Sequence, residues 1–289
     1  MKVAGFSFIR NAVKYDYPVV ESIRSILPLC DMFYLAVGDS DDGTEELIRS
    51  IGSEKIVIIP TIWDDSLREG GRVLAVETDK AFQAIPAEYD WAFYIQGDEV
   101  LHEDGIETCR EAMLKYLDVS SVQGFVFRYR HFYGSYDFVG SSGAWYRNEV
   151  RIIRNDKRIF SWRDAQGFRM AGDKKLRVRP LDAWIHHYGW VKPPAAMQRK
   201  QESFNKLWHD DAWVEQHVAK AEEFDYSNID ALERFNGTHP QVMLPRIKAM
   251  NWQFEYDPSF NTRSFKDRCR DWVERYTGVR PFEYRNYTN

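Results

Sequence analysis

Two carboxylates follow a short apolar run near residue 95. The run covers residues 91–95, and Asp98 and Glu99 come after it, separated from it by Gln96 and Gly97. An apolar run of this length with these flanks is typical of a strand that is buried on both faces. In open α/β sheets, ligands bind at the carboxyl ends of the strands. The stretch therefore predicts either an acidic ligand site at the edge of a sheet or a solvated acidic turn.

A second group of acids follows an earlier apolar run. Residues 32–37 are apolar and lead into the loop Gly38-Asp39-Ser40-Asp41-Asp42-Gly43-Thr44. Asp42 with Glu45 three residues later resembles a capping box, and acids in the first turn of a helix complement its dipole. Helix capping and a ligand site therefore explain these acids equally well.

Two adjacent histidines, His186 and His187, lie in residues 182–190, which read as a strand leading into a turn. Consecutive side chains of a strand point to opposite faces, so at most one histidine faces a given site. Together with Asp98 and Glu99, one histidine would supply the mixed oxygen and nitrogen ligands that suit Mg²⁺ or Mn²⁺ bridging a nucleotide diphosphate. The alternative is a core histidine bonded to a backbone carbonyl.

The elements that would position these residues alternate between strand and helix. The hydrophobic pattern predicts strands over residues 2–9, 32–37, 55–59 and 91–95, and helices over residues 18–27, 45–51, 72–85 and 106–117. This order predicts an α/β fold with a mostly parallel central sheet flanked by helices. Parallel neighbours end at the same edge of a sheet, so acids that are distant in the sequence can share one site.

The pattern changes after residue 120. Residues 122–129, 147–153 and 158–161 read as strands with antiparallel or mixed pairing, and the chain becomes helical beyond residue 190. Helices are predicted from residue 193, over 211–224 and over 263–276. We therefore expect an α/β unit over residues 1–190 with a helical C-terminal extension over 191–289 packed on it.

Composition and motifs exclude several classes of protein. The chain of 289 residues carries a formal net charge of −5, which argues against a dedicated nucleic-acid binder. No P-loop, dinucleotide-binding glycine motif, GxSxG or HExxH is present. No apolar stretch is long enough for a transmembrane helix, and the N-terminus is too soon interrupted for a signal peptide. Three widely separated cysteines fit a reducing compartment, so we expect a cytoplasmic protein.

The order of these motifs resembles glycosyltransferase family 2, whose members have the GT-A fold. The resemblance covers about the first 190 residues and rests on four features, namely Arg10-Asn11 after the first strand, the acidic loop 38–44, Gln96-Gly97-Asp98-Glu99 and His186-His187-Tyr188-Gly189-Trp190. It implies a GT-A-like nucleotide-sugar-binding and catalytic domain over residues 1–190. Such a domain would move a sugar from a UDP- or GDP-type NDP-sugar to an acceptor hydroxyl, in surface polysaccharide or glycan synthesis.

The resemblance also implies roles for residues of this sequence. It implies contacts to the nucleotide from Phe8, Arg10, Asn11, Asp39, Asp41, Arg72 and Gly97. It implies a divalent metal, Mn²⁺ or Mg²⁺, on Asp98, Glu99 and His187, with the choice between His186 and His187 left open. Two positions depart from the family pattern, because Gln96 stands where the first acid of the metal motif usually lies and Ser40 separates the two loop acids.

An inverting transferase needs a carboxylate base near the acceptor hydroxyl, while the metal stabilises the leaving diphosphate. In the family this base lies after the metal motif. Asp164 is the predicted base here, and Asp137 is the reserve candidate. A turn residue paired with Arg163 or Arg169 explains Asp164 equally well.

Two other functions stay open. A sugar-nucleotide nucleotidyltransferase would carry a glycine-rich basic loop after the first strand, which Ala12-Val13-Lys14 match poorly. A non-catalytic carbohydrate- or nucleotide-binding module stays open because of Gln96. The expected partners are an NDP-sugar donor and a carbohydrate or lipid-linked acceptor, with no nucleic acid.

The predicted helix over residues 263–276 has one apolar and one basic side. Its apolar side carries Phe265, Cys269, Trp272 and Tyr276, which we expect to be packed against the protein. The basic side is explained either by peripheral contact with an anionic membrane or by a solvated helix face.

Overall fold

Four parallel strands form the central sheet of the first half of the chain. They lie in the order β3-β2-β1-β4, and their bounds are β1 (Val3–Ile9), β2 (Met32–Gly38), β3 (Ile56–Thr61) and β4 (Trp91–Tyr94). The computed structural model describes residues 1–67, 69–218, 220–227, 229, 231–260, 262–277, 280–281 and 284–288. Each strand coincides with an apolar run, and each large apolar side chain that is fully buried contributes about 1.5–3 kcal/mol.

Helices cover both faces of this sheet. They are α1 (Val19–Ile26), α2 (Thr44–Arg49), α3 (Arg72–Gln83) and α4 (Gly105–Lys115). On one face, Phe33 and Phe93 belong to an apolar cluster with residues of α1, α2 and α4. On the other face, Phe6 contacts Phe82 of α3 with ring centroids 5.3 Å apart. The predicted α/β fold, with a parallel central sheet flanked by helices, is confirmed.

The sheet continues through strands of mixed direction. They are β5 (Glu99–Leu101), β6 (Gly124–Tyr133), β7 (Phe138–Gly140), β8 (Asn148–Arg154), β9 (Ile159–Trp162), β10 (Gly167–Met170) and β11 (Lys174–Trp190). β8 is antiparallel to both β4 and β6, whereas β11 is parallel to β6 and antiparallel to β5. The mixed pairing predicted after residue 120 is therefore present. β11 is 17 residues long, and its last part contains the two histidines.

The C-terminal part contains helices α5 (Pro194–Asn205), α6 (Asp211–His217), α7 (Leu244–Lys248) and α8 (Phe265–Thr277). It also adds two short strands to the sheet, β12 (Leu232–Arg234) on β7 and β13 (Tyr287–Thr288) on β11. α6 is shorter than the predicted 211–224, because the chain turns back and Phe224 N–H donates to Pro194 O at the start of α5. No helix in the described part of the chain has the length and hydropathy needed to cross a membrane.

The apolar side of α8 is not packed as predicted. Phe265, Trp272 and Tyr276 are 82%, 62% and 72% exposed. α8 instead contacts the protein through its polar side, where Glu274 forms ion pairs with Arg147 at 3.5 Å and Arg280 at 3.7 Å. The prediction was wrong because the ion pairs turn the aromatic side of the helix towards solvent.

Candidate functional site

A cleft of about 850 Å³ opens at the carboxyl ends of β1 and β4. Its walls come from the residues that follow these two strands, from the end of β11 and from α5. This is the position at which open α/β sheets bind ligands. The acidic stretch after β4 therefore contributes to a cleft, and a solvated acidic turn does not describe it.

Asp98 lies in this cleft between a histidine and a lysine. Its Oδ1 is 3.7 Å from Nε2 of His187, and its Oδ2 is 3.5 Å from Nζ of Lys200. Burial alone would raise the pKa of the Asp98 carboxyl, but His187, Lys200 and Lys192 together hold that pKa well below its ordinary value. Asp98 is therefore a carboxylate throughout the physiological pH range.

The pairing of β11 places one histidine of the pair beside Asp98. His187 lies opposite Glu99 of β5 and His131 of β6, and it lines the cleft. His186 is fully buried on the other face of the strand, where its Nε2 accepts from Arg130 at 3.2 Å. Because side chains alternate along a strand, the structure brings His187 and not His186 to the site.

Hydrogen bonds fix which nitrogen of His187 carries a proton. Nε2 of His131 is 2.8 Å from the carbonyl oxygen of Tyr146, which can only accept, so this Nε2 is protonated. Burial, and then the proximity of His187, hold the pKa of His131 well below its usual value, so its Nδ1 is an acceptor. Nδ1 of His187, 3.1 Å away, therefore donates to it, and Nε2 is the His187 nitrogen that faces Asp98.

Asp98 and His187 are the two residues whose geometry fits a divalent metal. Asp98 Oδ1 and His187 Nε2 are 3.7 Å apart, so with Nε2 deprotonated they can bind one cation together and leave positions for phosphate and water. His131 acts behind His187 as the orienting hydrogen-bond partner that metal-binding histidines usually have. Among the residues that the structure describes, no group of three or more metal-binding side chains occurs.

Glu99, the third predicted metal ligand, is turned away from the cleft. Arg151 donates to its two carboxylate oxygens at 2.7 and 2.9 Å, and the hydroxyl of Tyr129 donates to Oε1 at 2.9 Å. Glu99 and Arg151 are both fully buried, so removing either one would leave the charge of the other buried without a partner. The structure assigns Glu99 to this internal ion pair rather than to a metal.

Four of the seven predicted nucleotide-binding residues line the cleft, namely Phe8, Arg10, Asn11 and Gly97. The other three lie outside its lining. Asp39 pairs with Nε of Arg10 at 3.5 Å and so orients that guanidinium, whereas Asp41 is exposed to solvent. Arg72 lines a neighbouring cavity.

The acidic loop after β2 binds the backbone of the loop after β1. Asp42 accepts hydrogen bonds from the N–H groups of Lys14 at 2.7 Å and Thr44 at 3.1 Å. α2 begins after Gly43, whose φ of 81° is left-handed, and no side chain caps it. The predicted capping box of Asp42 with Glu45 is therefore wrong, and Asp42 instead joins the two loops.

Two buried polar atoms of the cleft are unpaired within the described residues. They are Oδ1 of Asn11 and Nε1 of Trp63, an acceptor and a donor. Asn11 has a left-handed φ of 54°, which asparagine tolerates better than most residues. A buried polar atom without a partner costs about 1–3 kcal/mol. A ligand that supplies both partners would recover this energy.

Asp164 lies in the turn between β9 and β10 and lines the same cleft. The residues on both sides of it, Arg163 and Ala165, have left-handed φ values of 57° and 62°. Such values are unusual for residues other than glycine and cluster at functional sites. Arg163 and Arg169 lie over the ring of Trp162, with guanidinium carbons 4.1 and 4.4 Å from its centroid.

Two side chains hold this strained turn from the sheet. Nε2 of Gln96 donates to Ala165 O at 3.2 Å, and Nη1 of Arg151 donates to Gln166 O at 3.0 Å. Gln96 thus stands where an acid was expected and binds the turn that presents Asp164. The strand end that carries Asp98 and the turn that carries Asp164 are therefore joined by a direct hydrogen bond.

The surroundings of Asp164 suit a general base. Burial raises the pKa of its carboxyl above the ordinary value. Burial also raises the pKa of Glu149 to about 8, so this neighbour is largely uncharged at neutral pH. A base works best when its pKa lies closer to the operating pH. Asp137, the reserve candidate, is exposed on the loop before β7 and lies outside the cleft lining.

Two buried lysines were missed in the sequence. Lys200 is 8% exposed and donates from Nζ to Gly189 O at 2.9 Å, and Lys192 is fully buried. The spacing of apolar residues in α5 could have revealed Lys200. It lies three residues after Met197 and four before Phe204, which places it on the apolar face of the helix. A lysine at such a position needs a partner, and here the partner is Asp98.

Gly189 permits the close approach of Asp98 and His187. A Cβ at this position would lie 2.7 Å from both Asp98 Oδ2 and His187 Nε2. We expect Gly189→Ala to displace the pair and lower kcat of any reaction that uses both groups about 100-fold, since misplacements of about 1 Å have effects of this size. The control is Gly143→Ala, where the nearest atom is 3.3 Å from the added Cβ. Equal kcat for both variants would contradict the expectation.

Comparison with known proteins yields similarity in fold only. No family model and no curated protein matches the chain. Similar solved structures include S. aureus TarS (14% identity over 77% of this chain and 41% of that chain, TM-score 0.39) and S. aureus TarS 1-349 in complex with UDP (13% identity over 77% and 68%, TM-score 0.38). The chain spans about two fifths of the length of the first.

A third similar structure is glucosyl-3-phosphoglycerate synthase from Mycobacterium tuberculosis, in complex with Mn²⁺, UDP-glucose and phosphoglyceric acid. It has 17% identity over 46% of this chain and 44% of that chain, with a TM-score of 0.29. At such low identity and TM-score, the similarity carries no conclusion about substrate or mechanism.

Proposed function

We propose that the chain is a glycosyltransferase that moves a sugar from a UDP- or GDP-type NDP-sugar to an acceptor hydroxyl. One observation carries the proposal. A metal-competent pair, Asp98 with His187, shares a cleft with a buried lysine, Lys200, and with a carboxylate of raised pKa, Asp164. These are the groups that departure of a diphosphate and activation of a hydroxyl require.

The donor end of the cleft would hold the nucleotide diphosphate. Asp98 Oδ1 and His187 Nε2 would hold Mn²⁺ or Mg²⁺, which when bound supplies positive charge to the leaving diphosphate. Lys200 and Arg10 add positive charge to the walls of the cleft. Asn11 would take a hydrogen bond from the nucleoside through its free Oδ1. Uridine and guanosine both offer N–H donors for that oxygen.

The transfer is a single displacement. Asp164 accepts the proton of the acceptor hydroxyl as its oxygen attacks the anomeric carbon of the sugar. The new bond joins the anomeric carbon to the acceptor oxygen, and the bond from that carbon to the diphosphate breaks, so NDP leaves with the electron pair. Attack opposite the leaving group inverts the configuration at the anomeric carbon.

The test is hydrolysis of a panel of UDP- and GDP-sugars, measured as NDP release with Mn²⁺ and with EDTA. The proposal expects slow, metal-dependent release of NDP together with a free sugar of inverted configuration. A nucleotidyltransferase would instead break the bond between the two phosphates. A non-catalytic module would bind UDP or GDP with Mn²⁺ in calorimetry without turnover, and absence of both binding and release would refute the proposal.

We further propose that α8 binds an anionic membrane surface, as a lipid-linked acceptor would require. Its exposed aromatic residues Phe265 and Trp272 lie on the same helix as Lys266 and Arg268, a combination that suits the membrane interface. Phe265→Ser with Trp272→Ser should reduce cosedimentation with phosphatidylserine vesicles at least about tenfold. Leu114→Ser, at an exposed apolar residue of α4, is the control. Wild-type protein that fails to sediment with these vesicles would contradict the proposal.

The cytoplasmic location of the protein stays a prediction.

A further inference from the structure

A second cavity of about 920 Å³ lies on the other side of Asp164. It is formed mainly by the first turns of α3 and by β9. Leu67, Asp164, Gln166 and Trp208 line both this cavity and the cleft described above. A group bound in either space can therefore reach the Asp164 carboxylate.

The inner wall of the second cavity carries a buried donor and a half-buried acceptor side by side. Ser161 is 5% exposed, and its Oγ has no hydrogen-bond partner among the described residues. Its backbone N–H donates to Oδ1 of Asp79 at 2.7 Å, which fixes this carboxylate next to the serine. Most buried hydroxyls are hydrogen-bonded, so an unpaired one at a cavity wall indicates a missing partner.

The charges of the wall distinguish between classes of ligand. Asp79 and Asp164 would repel a phosphate or carboxylate placed against Ser161, whereas a hydroxyl can accept from Ser161 Oγ and donate to a carboxylate. Neighbouring hydroxyls of a sugar ring offer this combination. Phe160 and Trp208 supply apolar surface for the other face of such a ring. Arg72 and Arg163 also line the cavity, but both are exposed to solvent, so neither is buried against Ser161 and Asp79.

We propose that this second cavity is the acceptor site and that it takes an uncharged sugar, held by Ser161 and Asp79 with its reacting hydroxyl at Asp164. The inference rests on the proposed function, because it assigns the second substrate of the same reaction. The donor occupies the cleft with Asp98, and Asp164 lies at the boundary between the two substrates. Burial raises the pKa of Asp79 to about 6, so above this pH its carboxylate accepts from the bound sugar.

Saturation-transfer NMR with the full chain and no donor tests the site directly. The probes are the methyl glycosides of glucose, galactose, mannose and N-acetylglucosamine, with inorganic phosphate as competitor. We expect a signal from at least one glycoside, a dissociation constant about fivefold higher in Ser161→Ala, and no competition by phosphate. The matched control is Ser203→Ala, a serine of the other cleft that is bonded to Tyr15, which should leave glycoside binding unchanged.

The same variants separate failure of this inference from failure of the proposed function. Ser161→Ala should keep the wild-type rate of donor hydrolysis to water while losing the stimulation that the bound glycoside gives to NDP release. Asp79→Asn, which keeps the acceptor for the Ser161 N–H, should weaken glycoside binding in the same way. No glycoside signal, equal binding in wild type and Ser161→Ala, or displacement by phosphate would overturn the assignment. Glycoside binding without NDP release would sustain the sugar site and refute the transferase.

Discussion

Replacing Asp98 by asparagine is expected to lower sugar transfer by at least about 1,000-fold and to remove metal-dependent nucleotide binding. An amide oxygen is a weak ligand for Mn²⁺, and the charge that a bound metal supplies to a leaving group is worth several kcal/mol. His187 alone would remain to hold the cation. The measurements are NDP release from the NDP-sugar and calorimetry of UDP or GDP with and without Mn²⁺.

The same substitution should also destabilise the protein. Asp98 is the carboxylate that pairs with the buried Lys200, 3.5 Å away, and it also opposes the lowering of the Lys192 pKa by burial. Removing one partner of a buried ion pair costs about 3–5 kcal/mol, because it leaves an uncompensated charge. A fall in the midpoint of denaturant unfolding is therefore expected together with the loss of activity.

A double variant separates the two effects. Asp98→Asn with Lys200→Met removes the carboxylate together with the lysine that it neutralises, so most of the lost stability should return. Transfer should not return, because no charged ligand is restored beside His187. Folded Asp98→Asn protein with wild-type transfer would rule out Asp98 as a metal ligand. Recovery of transfer in the double variant would show that the single variant failed through misfolding alone.

The first four strands could be predicted because each is an apolar run with a clear end. Trp91 to Tyr94 are all fully buried, as the apolar run over residues 91–95 predicts. Local sequence also placed acids at the carboxyl ends of β2 and β4. The strands and the acids that follow them are set by residues close together in the sequence, so they can be predicted from one sequence alone.

The partners of the charged residues could not be predicted in this way. Glu99 is bound by Arg151, 52 positions later, and Asp98 by Lys200, 102 positions later. Both pairs depend on how the second half of the chain folds back on the sheet. The exposed side of α8 is a similar case, because the ion pairs of Glu274 with Arg147 and Arg280 decide which side faces the protein.

Gln96 shows how the structure changes the meaning of a sequence motif. In the sequence it is a missing acid that weakens the metal site. In the fold its amide donates to Tyr94 Oη at 3.3 Å and to Ala165 O at 3.2 Å, so it ties the strand end to the turn of Asp164. An aspartate here could not donate either hydrogen bond. Gln96 therefore helps to hold Asp164, the second carboxylate of the cleft after Asp98, in place.

Replacing Asp164 by asparagine should lower kcat for transfer by about 100- to 10,000-fold and leave nucleotide binding intact. This is the usual contribution of a general base, and asparagine cannot accept the proton of the acceptor hydroxyl. In the proposed mechanism Asp164 holds neither the metal nor the nucleotide. The affinity for UDP or GDP with Mn²⁺ should therefore stay within about twofold of wild type. Steady-state kinetics and calorimetry measure the two quantities.

The pH dependence gives an independent measure of the same role. Transfer by the wild type requires ionised Asp164, so kcat/KM should fall as the pH decreases through the raised pKa of this carboxyl. The acid limb should therefore lie above the pH expected for an ordinary aspartate. In Asp164→Asn this limb should disappear, and the residual rate should be flat over the same range.

Stability should distinguish Asp164→Asn from Asp98→Asn. A carboxyl whose pKa is higher in the folded than in the unfolded state reduces stability at pH values above the unfolded pKa, because folding disfavours its ionised form. Asparagine removes that cost, so at pH 8 the Asp164 variant should be at least as stable as wild type, and its loss of activity cannot be attributed to unfolding. Asp137→Asn, at the exposed reserve position, is the matched control and should retain full transfer. Transfer that survives in Asp164→Asn and is lost in Asp137→Asn would reassign the base.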